Sequence, residues 1–140
     1  GEISRMGYRV LLAHPERCAQ LAEKPGLVRE IAASGAWVQV NWESLAGMNG
    51  RQAQGVALAF AGEGHIHCLA TDTHDRFGRS PDMVRQGRDA VEALIGEGNM
   101  RRLMIDNPRR VLMGDKLEGL DGTDGAPWTP VKRRKWLWFS

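Results

Sequence analysis

Three short runs rich in strand-forming residues recur along this chain: YRVLLA from Tyr8, AWVQVNW from Ala36 and HIHCLAT from His65. Starting at positions 8, 36 and 65, they lie 28 and 29 residues apart. Each gap holds a helical pattern: Leu27, Val28, Ile31 and Ala32 in the first, Ala53, Val56, Ala57 and Phe60 in the second. Apolar residues three and four apart line one face of a helix. Strand–helix–strand at about 30 residues per unit is the βαβ repeat, which requires a parallel sheet. The expected fold class is therefore α/β, with parallel βα units. Three such units cannot close a barrel, and they leave sheet edges unpaired.

Beyond the third run, Ser80-Pro81 predicts a helix start, with serine as cap and proline at the first helical position. Val84, Val91, Leu94 and Ile95 continue it to Gly96 and Gly98. A further helix is expected over Met100 to Ile105, and a short one opens at Asn107-Pro108, carrying Val111 and Leu112. From Gly114 the pattern collapses, and Leu117 to Pro130, rich in Gly, Asp, Thr and Pro, reads as a linker. At the other end, Ile3, Met6 and Gly7 read as the last turn of a helix with its glycine cap. A domain seldom starts in a final helical turn, so the expectation is that more protein precedes Gly1.

With 140 residues, 42% of them hydrophobic, the chain is one ordinary domain by size. It has no apolar run long enough to span a membrane and no secretory leader pattern. Two cysteines are too few for a disulfide scaffold, so reduced thiols are expected. The net charge of +2 is uneven, because Lys132, Arg133, Arg134 and Lys135 supply four of the 19 basic residues. A near-neutral body with a basic tail speaks against a nucleic-acid-binding face. Trp136, Trp138 and Phe139 interleave that tail. Contact with anionic lipid or a partner groove is one reading of it, and a solvated terminus is the plainer one.

Parallel α/β folds place their sites at the carboxyl ends of strands. The first run ends in His14-Pro15-Glu16-Arg17, the second near Asn41, Glu43 and Ser44, and the third in Asp72-Thr73-His74, followed by Arg76 and Arg79. His14, Asp72 and His74 thus converge on one mouth. Imidazole and carboxylate suit a divalent transition metal such as Mn, Fe or Zn. Arg17 and Arg79 beside them offer bidentate forks for phosphate oxygens. Metals that make a water nucleophilic near neutral pH, with arginines offsetting phosphoryl charge, point to hydrolysis of a phosphate ester. Taken singly, His14 is a turn residue, Asp72 a cap, and Arg17, Arg76 and Arg79 surface charges; only their joint placement argues otherwise. His65 and His67 receive no role, and Trp37 and Trp42 read as packing residues.

Thiol-phosphate chemistry needs an arginine six residues after the cysteine. Cys68 is followed at that distance by His74, and Cys18 by Lys24. No glycine-rich stretch ends in the Gly-Lys-Ser/Thr of a P-loop.

The blocks GYRVLLAHPERC, QVNWESLAG, CLATDTHDRFGRSPDM and DNPRRVL, in that order from about Gly7 to Met113, resemble the bacterial manganese-dependent protein tyrosine phosphatases of capsule and exopolysaccharide systems. These belong to the polymerase-and-histidinol-phosphatase (PHP) superfamily. The resemblance implies that residues 1–114 are the C-terminal portion of a distorted, TIM-like β/α barrel and residues 115–140 a flexible linker and basic aromatic tail. It implies two or three metal ions, usually manganese, with His14, Asp72 and His74 as ligands and Arg17 and Arg79 on the phosphate. It also implies a cytoplasmic enzyme acting on phosphotyrosine, notably on the tyrosine autokinase that controls polysaccharide export. The family's opening His-x-His block, the following Asp, and the middle Glu and His ligands have no counterpart here, so the chain alone is expected to lack the full metal cluster. A histidinol-phosphatase-like phosphoesterase and an inactive fragment or interaction module are the alternatives.

Overall fold

The computed structural model describes residues 2–73 and 81–120. In chain order these form α1 (Glu2–Arg5), β1 (Leu11–Ala13), a single 3₁₀ turn (Pro15–Arg17), α2 (Ala19–Glu23), α3 (Gly26–Ala33), β2 (Trp37–Asn41), α4 (Trp42–Ala46), α5 (Arg51–Gly62) and β3 (Cys68–Ala70). After them come α6 (Pro81–Ile95), α7 (Glu97–Arg101), a π-helical stretch (Arg102–Asp106) and α8 (Asn107–Met113). The strands make one parallel sheet in the order β1-β2-β3, with Leu12 opposite Val38 and Val40 opposite Leu69. The α/β class and parallel pairing follow the expectation from spacing.

The strands are shorter than the apolar runs that announce them, for a local reason in each case. The Trp37 N–H donates to Val10 O, so pairing reaches one residue beyond β1. At the far end of β2, Trp42 turns directly into α4. The start of β3 is sealed by side chains: the Val38 N–H donates to His67 Nδ1 at 3.1 Å, and His65 Nε2 lies 2.7 Å from Ala36 O. The sequence did not announce α2 or α4.

The central strand carries the core. Val38 and Val40 are fully buried and join Phe60, Ala57 and Ala61 of α5, Ile66, Leu69, Val91 and Leu103. Helix α5 packs on the 3₁₀ turn, α2, α3 and α4, and α4 packs on α6. The α4–α6 contact is close: a Cβ on Gly87 would lie 1.9 Å from Cζ3 of the buried Trp42. Glycine is thus the residue that lets the indole meet the helix backbone. Of the two glycines expected to end α6, Gly96 does so, with φ 83°, whereas Gly98 lies inside α7. The helix start expected at Ser80 lies outside the described residues.

Residues 115–120 fall in the stretch that composition reads as linker, yet Leu117 and Leu120 are buried. The buried amide of Asn107 explains this. Its Nδ2 donates to both His67 O and Glu118 O, and its Oδ1 accepts the Glu118 N–H. Gly119 then passes so close to Gly64 that a Cβ there would sit 2.1 Å from its carbonyl oxygen.

Candidate functional site

At the carboxyl edge of the sheet, β1 gives way to His14. Its N–H still donates to Gln39 O at 2.9 Å, but its backbone then turns left-handed, with φ 39° and ψ 49°. Pro15, with its fixed φ, starts the 3₁₀ turn at once. The reversal leaves the His14 and Arg17 side chains exposed and tucks Glu16 inward to 2% exposure. Two strands away, Asp72 leaves β3 at φ 51° and is half-buried.

Among the described residues, His14 and Asp72 are the two non-glycine residues with positive φ. That conformation costs about 1–3 kcal/mol and persists only where the surroundings over-determine it. Both fall on positions that the sequence singled out as metal ligands. The other expected ligand, His74, and the expected phosphate arginine Arg79 lie outside the described residues.

Between the two loops runs a chain of hydrogen bonds that strand-end spacing alone did not reveal. Glu16 Oε1 accepts the Asn41 N–H and the Ser44 O–H, both at 2.9 Å. Asn49 Nδ2 donates to Ser44 Oγ at 3.0 Å. The Asn41 side chain accepts from Gln39 Nε2 at 2.9 Å and donates through Nδ2 to Asp72 Oδ2 at 3.3 Å. Asn41 and Ser44 are fully buried. Glu16 Oε2 is buried with no hydrogen-bond partner among the described residues. No sequence signal marks Glu16 as buried, because it sits between a proline and an exposed arginine. Its burial follows from the left-handed turn at His14.

The cysteines bear no such geometry. Cys18 is exposed, and burial pushes the Cys68 thiol up to about 11, away from the thiolate that nucleophilic chemistry requires.

The chain belongs to the family described as capsular polysaccharide synthesis, CpsB/CapC, whose pattern matches residues 1–113. Its relatives include the tyrosine-protein phosphatase YwqE of Bacillus subtilis, 34% identical over 99% of this chain and 51% of its own length. The tyrosine-protein phosphatase CpsB of Streptococcus pneumoniae is 28% identical over 79% of this chain and 47% of its own. A solved structure from the work on YwqE and CpsB, described as unique metal-dependent tyrosine phosphatases, superposes with a TM-score of 0.70 at 26% identity. The match covers 94% of this chain and 50% of that one. The chain thus spans about half the length of the relatives it matches.

The donor set fits a divalent ion in kind: one imidazole and one carboxylate at the same sheet edge, each on a strained backbone. In number it is partial. Among the described residues, no three His, Cys, Asp or Glu side chains gather to hold an ion.

Proposed function

We propose that this chain carries part of the active site of a metal-dependent protein tyrosine phosphatase of capsule or exopolysaccharide synthesis, its βα units belonging to a distorted β/α barrel. His14, Asp72 and His74 serve as metal ligands, manganese being the preferred ion, and Arg17 and Arg79 hold the phosphate. A bound metal supplies an activated water for attack on phosphorus. The chain's own contribution is placement. Left-handed backbone holds His14 and Asp72 at the carboxyl ends of β1 and β3, where the proposed ligands would be needed. Arg17, exposed three residues beyond His14, would offer its guanidinium to phosphoryl oxygens without burying a charge. The substrate is a phosphotyrosine protein, with a bacterial tyrosine autokinase in the cytoplasm as the specific proposal.

The observation that carries this reading is the coincidence of left-handed strain with the expected ligand positions, in a chain of this family. The test is hydrolysis of a phosphotyrosine peptide and of histidinol phosphate by the purified full-length protein, with Mn²⁺ and with chelator. The expected result is Mn²⁺-dependent release of phosphate from the peptide, lost in Arg17→Ala. A preference for histidinol phosphate would reassign the substrate, and hydrolysis indifferent to chelator would defeat the metal reading.

A further inference from the structure

We infer that Asn41 is a positioning residue, holding the Asp72 carboxylate in the orientation its ligand role requires. This rests on the reading of Asp72 as a metal ligand and deepens it. The position is fully buried, on the strand face it shares with Gln39. A leucine of similar volume would satisfy packing alone. A buried amide persists only where its polar atoms find partners, and here each one does. The Asp72 carboxylate, an acceptor only, requires Nδ2 to face it, which leaves Oδ1 to take the Gln39 Nε2 hydrogen. Its backbone N–H is held by Glu16, whose same oxygen takes Ser44 and, through it, Asn49.

The consequence is mechanical. Asn41 is pinned at its main chain by the loop that carries His14 and at its side chain by β2. It passes that fixity to a carboxylate on the third strand. A ligating carboxylate is generally hydrogen-bonded by a neighbour that sets its rotamer, and loss of such a neighbour typically weakens metal affinity about 10–100-fold. The His14 and Asp72 loops are thereby registered to each other across the sheet.

The experiment is Mn²⁺ titration calorimetry on the purified full-length protein, with Asn41→Leu, Asp72→Ala and Asn107→Ala in parallel. The expected result is Mn²⁺ binding weakened about 10–100-fold in Asn41→Leu. Asn107→Ala, at the opposite end of the sheet, loses thermal stability but keeps wild-type affinity. If Asp72→Ala weakens binding and Asn41→Leu does not, the positioning role is overturned while the metal site stands. If Asp72→Ala binds like wild type, the metal reading fails and this role with it. Should Asn41→Leu not fold, the wild-type protein answers by selective ¹⁵N-asparagine NMR. The Asn41 side-chain amide is expected to exchange slowly with solvent and to shift on addition of Zn²⁺. An amide that exchanges freely and ignores the ion overturns the proposal.

Discussion

The two ends of the sheet use polar residues in opposite ways. At the amino end, His67, Asn107 and the 115–120 segment close on one another. The imidazole takes a strand N–H, and the amide clamps two carbonyls. At the carboxyl end, His14 is exposed and Asp72 half-buried, both on left-handed backbone, with the buried Glu16–Asn41 chain beneath them. One end spends its polar groups on closure. The other holds two of them in a strained, accessible posture, which the proposed metal site would use.

Replacing either strained residue with glycine gives the sharpest test of this contrast. His14→Gly and Asp72→Gly should lower phosphotyrosine hydrolysis by more than about 100-fold, a loss larger than that expected from a supporting residue. His14→Gly should nonetheless keep or raise stability, by up to about 1 kcal/mol in urea unfolding, because glycine tolerates positive φ. Asp72→Gly gains the same freedom but strands the buried Asn41 Nδ2, so its stability should fall by about 1 kcal/mol or more. A loss of stability together with activity in His14→Gly would break the comparison.

At the closing end, Asn107→Ala should cost about 3 kcal/mol, since it strands His67 O and both main-chain polar groups of Glu118. Thermal melting reads this, and hydrolysis per folded molecule should be unchanged.

Gly87→Ala should destabilise by about 2 kcal/mol. The clash with Trp42 outweighs the roughly 1 kcal/mol that alanine gains in a helix. A stabilised variant would show that α6 is free to move off α4.

An effect of similar size is one of pH. Burial, with His65 adding to it, lowers the His67 imidazole to about 4 from 6.5. The folded protein therefore binds fewer protons than the unfolded chain between those values. Stability is at its full value above about 6.5 and falls as pH drops toward 4, by on the order of 2 kcal/mol. Urea midpoints at pH 7 and pH 4.5 should narrow their difference in His67→Gln.

Much of the fold is legible in one dimension because its governing signals are local. The intervals between apolar runs announce βαβ, and α3 and α5 fall where Leu27–Ala32 and Ala53–Phe60 repeat. Likewise His14 and Asp72 are legible as site candidates, since strand ends are predictable once strands are. Glu16 and Asn41 are not, because a buried polar residue is recognised only by what surrounds it, and those partners lie 25 to 31 residues away in the chain. Leu117 and Leu120 escape for the same reason: sparse apolar residues among Gly and Asp read as linker until Asn107 clamps them down.

The order of residues alone thus determined the α/β class, the parallel pairing and that His14 and Asp72 follow the carboxyl ends of their strands, because periodicity and spacing are properties of the chain itself. Only the tertiary structure decided that His14 and Asp72 sit on left-handed backbone and that Glu16 turns inward. It also decided that one amide joins the two loops. Those facts depend on contacts across the sheet, and no stretch of sequence contains both partners of such a contact.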